Sequence, residues 1–200
     1  MNKFREVQPV KRIDAKVVSK YSQYKKELKE DFNNRCGYCN DSDHWTGGWR
    51  FFQIDHFIPR KYLVEVSPNE YSNLIYTCFF CNNSKRAKWL SKNEGIQFVN
   101  GLGFINPKEI EYSDHIYRDI DGNILALTPI GSYMVKELKL YLKRHSIIWK
   151  LEKLEIIFDE MSVQFEKVKD SISPDLKTKI IELLFAKNEY SKLLKKVGDE

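Results

Sequence analysis

Two Cys-x-x-Cys pairs, Cys36 and Cys39 in RCGYC and Cys78 and Cys81 in CFFCNNSK, bracket an Asp55-His56 dipeptide in FFQIDHFIPR. These four are the only cysteines in the chain. Each two-residue spacing lets one turn present two sulfurs to the same ion, and two such pairs supply the closed tetrahedral donor set of a structural zinc site. The 38 residues between the pairs exceed the linker of a simple zinc ribbon, so the metal closes a loop in which something further is built. Disulfide pairing is the competing reading. The sequence shows no secretory signal, and Cys-x-x-Cys pairs in reducing compartments favour metal or redox chemistry. A thioredoxin-like redox role would need a βαβ pattern around one of the pairs, and neither pair has one.

The elements that must position Asp55 and His56 follow from the flanking residues. FFQIDHFIPR reads as a short strand, aromatic and β-branched up to Ile54, with a polar corner at Asp55-His56 and a stop at Pro59. WTGGW ahead of it offers a Gly-Gly turn to close a hairpin. Downstream, YSNLIYTCFFCNNSKRAKWLSK runs from Asn73 through the second Cys pair, and Asn82 is read as the N-cap of a helix. The expectation is β, β, α, with zinc tying hairpin to helix. Ahead of the first pair, Val17, Val18, Tyr21, Tyr24, Leu28 and Phe32 recur at helical spacing and predict a helix of roughly five turns.

These residues resemble a known family, the HNH or ββα-metal endonucleases, in the subgroup that carries a four-cysteine zinc. DHFIPRK corresponds to the first motif, SNL to the second and CNNSK to the third, over roughly residues 34–90. The resemblance implies His56 as general base, Asp55 and Asn82 as ligands of a catalytic metal, and Asn73 as the brace of the loop. Asn82 stands where many relatives have His, and the adjacent Asn83 leaves the third position open. The chemistry agrees: phosphodiester cleavage needs an in-line nucleophile, a base working near neutral pH and stabilisation of charge on the phosphoryl and leaving oxygens. Imidazole titrates in that range, while Asp and Asn oxygens suit hard Mg²⁺ or Mn²⁺. Zinc saturated by four sulfurs has no open position, so zinc is assigned to structure and Mg²⁺ or Mn²⁺ to catalysis. Bland readings stand beside these: an ordinary Asp-His turn, Asn73 as a turn residue and Asn82 as a helix cap.

A formal charge of +5 over 200 residues is compatible with nucleic acid without demonstrating it. Its distribution says more, because Lys85, Arg86 and Lys88 follow the third motif directly and Arg60 and Lys61 follow the first. These five are the candidate nucleic-acid contacts, with solvated surface as the alternative. Phe79 and Trp89 are read as packing of the small zinc core; His44 is read as loop surface, and His115 and His145 have no ligand-like neighbours in sequence. Residues 101–131 are rich in Gly and Pro and read as an irregular or short-stranded connector with a turn at Asp121-Gly122-Asn123. The stretch 132–170 lacks Gly and Pro and reads as strongly helical, and Ser173-Pro174-Asp175 starts a last helix that Gly198 stops.

The fold class expected is α+β: an N-terminal arm and helix (1–33), a zinc-stabilised ββα-metal core (34–92), a connector (93–131) and a C-terminal helical region (132–200). The activity expected is metal-dependent endonucleolytic hydrolysis of DNA. RNA cleavage, or a non-catalytic zinc module that binds nucleic acid, is the alternative. The core spacing with FINPKE, DGN and a helical tail is similar to HNH proteins of bacterial anti-phage defence, Septu-type or retron-associated, which implies an operon-encoded protein partner, possibly an ATPase. Ile147, Ile148, Trp149, Leu151, Leu154, Ile156, Ile157 and Phe158 place apolar residues on more than one helix face and point to docking of that partner. No apolar run approaches 18 residues, so no membrane association and a cytoplasmic location are expected.

Overall fold

In the structure, a computed structural model that describes residues 3–167 and 173–198, the chain divides into two compact units, 1–141 and 142–200. The first is built on two short strands. β1 (Gln53–His56) pairs antiparallel with β2 (Leu74–Thr77), with Ile54 opposite Tyr76 and His56 opposite Leu74. LIYT is buried throughout, as a β-branched and aromatic run at the centre of a core demands. α2 (Phe79–Lys85) follows one residue after β2. The class is α+β, with mixed helices and small sheets around a four-cysteine cluster.

Two local expectations for this core are corrected. The Gly47-Gly48 turn closes no hairpin, because both glycines take positive φ and lead a 3-10 turn (Asp43–Thr46) directly into β1, whose partner lies beyond a long loop. α2 begins three residues ahead of Asn82: Cys78 is its N-cap, and the Cys78 sulfur accepts from the Cys81 amide at 3.5 Å. A cysteine held extended and offering sulfur to the helix amides takes the capping role that an Asn would otherwise fill.

The N-terminal helix is shorter than the periodicity predicts. A 3-10 turn (Tyr21–Tyr24) runs into α1 (Lys25–Asp31), and Val17 lies outside both. Asn69 decides the start: its Oδ1 accepts from the Tyr21 amide at 2.8 Å and its Nδ2 donates to Ser19 O at 3.1 Å, which holds Lys20 extended. A side chain distant in sequence supplies the cap, so the apolar spacing alone misplaces the boundary.

Residues 93–141 contribute to the same core. β3 (Ile116–Arg118) and β4 (Ile124–Ala126) form a hairpin whose turn places Gly122 at φ 80°, and Phe104, Tyr112, Ile116, Ile124 and Met134 are buried with Phe4, Leu28, Tyr38 and Tyr76. α3 (Pro129–Glu137) opens on a Thr128 cap whose hydroxyl accepts from Gly131 N at 3.0 Å. The helical stretch expected from residue 132 is broken after α3. Lys139 takes φ 56°, Leu140 N donates to Val135 O at 2.9 Å, and both Leu138 and Leu140 are buried by the change of direction.

In the second unit, α4 (Lys143–Lys167) and α5 (Pro174–Gly198) run antiparallel, with Lys187 at 3.7 Å from Glu155 and the Lys150 ammonium 5.5 Å from the Tyr190 ring centroid. Ser173 Oγ accepts from Leu176 N at 3.3 Å, the cap expected ahead of Pro174. Residues 168–170, the end of the stretch read as helical, lie outside the described residues. Among the described residues no helix is long and apolar enough to cross a membrane.

The tightest glycine requirement is in α3. A Cβ on Gly131 would lie 1.9 Å from the His115 carbonyl oxygen, which is backbone and cannot move aside alone. Gly131→Ala is expected to cost about 1–3 kcal/mol in chemical denaturation, whereas Gly95→Ala, whose nearest neighbour would be a side-chain atom at 3.6 Å, should cost far less. Equal midpoints for the two variants would show that α3 is not seated as described.

Candidate functional site

The first Cys pair sits in a knuckle between α1 and the loop to β1. Cys36 N donates to Asp41 O and Asn40 N to Cys36 O, each at 2.9 Å, with Asn40 in the left-handed region. Gly37 N donates to Tyr76 O at 2.8 Å and fixes the knuckle against β2, where a Cβ on Gly37 would meet Ile75 and Phe32 at 2.7 Å. The second pair flanks the start of α2. All four cysteines are buried and outside disulfides, and their sulfurs lie within 4.8 Å of one another. Cys39 and Cys78 sulfurs are 3.9 Å apart, close to the roughly 3.8 Å edge of a tetrahedron with Zn–S bonds of about 2.3 Å. The donor set fits a four-thiolate metal centre.

A cleft of about 460 Å³ lies on the other side of α2, lined by Gln53, Asp55 and His56 of β1, by Pro59, Arg60 and Lys61, and by Phe79, Asn82, Asn83 and Arg86. Asp55 is fixed from behind: its Oδ2 accepts from the Tyr38 hydroxyl at 2.6 Å and from the Lys85 ammonium at 2.9 Å. Both partners fall on one oxygen, which leaves Oδ1 without a protein donor. His56 is largely buried, with Tyr21 edge-on to its ring at 4.7 Å between centroids. Its Nε2 lies 2.8 Å from Pro68 O. A carbonyl can only accept, so this contact assigns the proton to Nε2 and leaves Nδ1 with a free lone pair. Burial is the largest influence on the imidazole and holds its pKa below the usual 6.5, so the ring is neutral at pH 7.

Asn73 does not reach the cleft. Its Oδ1 accepts from Ile58 N at 2.8 Å, its Nδ2 donates to Ile58 O at 3.1 Å, and its own carbonyl accepts from Phe57 N at 2.8 Å. These bonds clamp the segment leaving His56. The two candidates for the third position have different partners. Asn82 Nδ2 donates to Gln53 Oε1 at 2.5 Å, which turns the amide toward β1 and leaves Oδ1 uncommitted, whereas Asn83 Oδ1 accepts twice from the Arg86 guanidinium, at 3.0 and 3.1 Å. Among the described residues, Asn82 Oδ1 and Asp55 Oδ1 are therefore hard oxygens of cleft side chains that accept no hydrogen bond from the protein.

Two of the expected nucleic-acid contacts are placed otherwise, and so is one core residue. Lys85 is 0 % exposed: its ammonium donates to His56 O at 2.9 Å as well as pairing with Asp55, so no phosphate can reach it. The Lys85 side chain lies one turn beyond Cys81 on the buried face of α2, a placement that basic residue type alone points away from. Lys88 is engaged with Glu137, at 2.8 Å to the carboxylate and 2.9 Å to the carbonyl. Arg60, Lys61 and Arg86 line the cleft. Trp89 is buried as expected, but Phe79 is 53 % exposed and lines the cleft, because the helix starts early enough to turn it outward.

The residues that sequence reasoning passed over are Gln53 and the Pro68 carbonyl, while Tyr38, legible as an aromatic beside the site, serves instead as the hydroxyl donor to Asp55. Gln53 lies two residues ahead of Asp55, so position in the motif could have flagged it. Nothing in the sequence marks the carbonyl.

Residues 36–88 match the family model for HNH endonuclease, a span that contains both Cys pairs, Asp55, His56, Asn73 and Asn82. No curated protein and no solved structure matches the chain. The matched span lies within the first unit, and the match supports nuclease activity in general terms.

Lys85→Met leaves the Asp55 carboxylate buried without its counter-ion. Removal of one partner from a buried pair is expected to cost about 3–5 kcal/mol in denaturant unfolding, against about 0.5 kcal/mol or less for Lys61→Met on the cleft rim. Similar small losses for both would mean that Lys85 is not the buried partner of Asp55.

Proposed function

We propose that this protein is a metal-dependent endonuclease that hydrolyses phosphodiester bonds of DNA, with His56 as general base. The observation that carries the reading is the His56 geometry: a neutral imidazole, its proton held on Nε2 by Pro68 O, in a cleft shared with Asp55 and Asn82. Such a ring takes a proton from an attacking water at Nδ1 without first losing one of its own. Asp55 and Asn82 would hold a hard divalent ion, Mg²⁺ or Mn²⁺, through their Oδ1 atoms. When bound, that ion supplies stabilisation of charge on the phosphoryl group and the leaving oxygen. Lys85 and Tyr38 restrict Asp55 to one available oxygen, Asn73 keeps the loop after His56 in register, and Arg60, Lys61 and Arg86 attract and orient the phosphate backbone. Arg86 carries φ 46° and ψ −128°, sparsely populated backbone of the kind that is retained at functional sites.

The four-cysteine cluster is assigned zinc in a structural role, since four thiolates close the coordination sphere and leave no position for substrate. The wider setting is part of the same proposal: a bacterial anti-phage nuclease that docks a partner protein through its second unit, where Ile147, Ile148 and Leu151 of the expected docking run are buried but Ile156 and Ile157 are exposed, as are Val163, Ile181, Leu184 and Phe185.

The activity is tested by incubating the purified protein with plasmid DNA and with total RNA in Mg²⁺ or Mn²⁺. His56→Ala should lower the rate by about 10²- to 10⁴-fold while the thermal transition stays two-state. Because folding holds the imidazole pKa below its ordinary value, the base is protonated and inactive only at low pH. The acid limb of kcat/KM should therefore lie below pH 6.5, with a plateau by pH 7. Cleavage by His56→Ala at the wild-type rate, or an acid limb centred above 7, removes His56 from the role of base.

Cys81→Ser separates the two metals. It should lower bound zinc and melting temperature together, because a structural zinc contributes folding free energy directly. Wild-type protein that contains no zinc by elemental analysis, or a variant that melts as the wild type does, would overturn the structural assignment.

A further inference from the structure

α2 divides its side chains between two surroundings. Cys81 and Lys85, four residues apart, point into the core, whereas Phe79, Asn82, Asn83 and Arg86, each three or four residues from two of the others, together form one wall of the cleft. That wall carries an aromatic ring at its start and a guanidinium at its end, separated by about 10 Å along the helix axis. The oxygen of Asn82 that lacks a donor lies between them, and Asp55, His56, Arg60 and Lys61 face it across the cleft.

A single exposed apolar side chain is ordinary on a protein surface. Phe79 differs in its location and in its freedom. It lies among the hydrolytic groups and is 53 % exposed, and among the described residues its ring neighbour is Phe80, edge-on at 5.8 Å. Cations line the same cleft. An exposed aromatic ring beside cations in one cleft matches the chemistry of an unpaired nucleotide, whose base offers a π-face for stacking and whose phosphates carry the charge. In an intact duplex those faces are covered by neighbouring base pairs, and a ring seated among the hydrolytic groups has nothing to stack upon.

Building on the nuclease reading above, we infer that the cleft takes single-stranded or locally unpaired nucleic acid, with Phe79 stacking on a base next to the scissile phosphate and Arg86, Arg60 and Lys61 holding the backbone. Phe79 is a specificity residue, and its effect depends on strandedness. Loss of the ring removes one base–aromatic stack, which corresponds to about 5- to 150-fold in affinity for a single strand. A duplex bound through its phosphates alone should lose less than about 2-fold.

The test is fluorescence anisotropy of the full chain with a labelled single-stranded 20-mer and with the same sequence as a duplex, in buffer without divalent ions. Wild type, Phe79→Ala, Phe79→Leu and Phe79→Trp are compared, with thermal melting confirming that each is folded. The wild type should prefer the single strand. Phe79→Ala and Phe79→Leu should both weaken single-strand binding by the range above, and Phe79→Trp should retain it, since Leu keeps apolar bulk without a π-face. Retention by Phe79→Leu, equal losses on single strand and duplex, or a wild-type preference for duplex would each overturn the inference. Binding is read without cleavage, so the two readings fail separately. A protein that cleaves nothing yet discriminates strands through Phe79 loses the nuclease assignment alone, and one that cleaves without that discrimination loses the stacking alone.

Discussion

A buried ion pair between α2 and β1 organises the candidate site. Lys85 has no exposed surface, yet its ammonium reaches both the Asp55 carboxylate and the His56 carbonyl, so one side chain holds the two residues proposed as metal ligand and base. A buried charge is tolerable only where its partner is present, and here Tyr38 donates a second bond to the same carboxylate oxygen. The arrangement ties the position of Asp55 to that of the helix. It also commits one carboxylate oxygen and leaves the other without a donor among the described residues, which narrows what the cleft can offer a cation.

The four-cysteine cluster sets where that helix begins. Cys78 caps α2, Cys81 lies one turn in, and Lys85 lies a further turn on, so the cluster and the ion pair share one buried face of a seven-residue helix. Two buried guanidinium groups stand at the first knuckle. Arg5 donates to Gly37 O at 2.8 Å, and Arg118 donates to Cys39 O at 3.0 Å while lying 3.6 Å from Asp41. Four thiolates around a dication would carry a net charge of about −2, which two cations at the adjacent carbonyls would offset at short range. This is why the N-terminal arm and the β3–β4 hairpin belong to the core of the first unit: each delivers one of these arginines. Tyr112 adds a third tie, its hydroxyl donating to Tyr38 O at 2.8 Å.

The division of labour along α2 follows from helical periodicity. Positions at three- and four-residue steps share a face, so a helix too short to stand alone can present sulfur and ammonium inward and an aromatic, two amides and a guanidinium outward. Packing against β1 and the cluster makes so short a helix stable. The outward face inherits that rigidity, which is what positioning of a reacting phosphate requires.

Much of this was legible in the sequence. The Cys spacing implied one four-sulfur site, the motif order implied β, β, α around Asp55 and His56, and the Ser173-Pro174 and Asp121-Gly122-Asn123 signals appear as a helix start and a turn. Those features are local, written in residue type and separation along the chain. What sequence could not decide depended on partners brought from elsewhere. Asn69 shortened the first helix by supplying a cap from 48 residues away, and Cys78 displaced Asn82 from the cap of α2. The break after α3 came from burying Leu138 and Leu140 together. Lys85 reads as a surface cation until β1 places a carboxylate beside it, and Asn82 and Asn83 are indistinguishable until Gln53 and Arg86 take different atoms of each. Residue type determined which chemistry was available to this protein; only tertiary packing decided which atoms were left free to perform it, because a donor or acceptor is free only when no neighbour has claimed it.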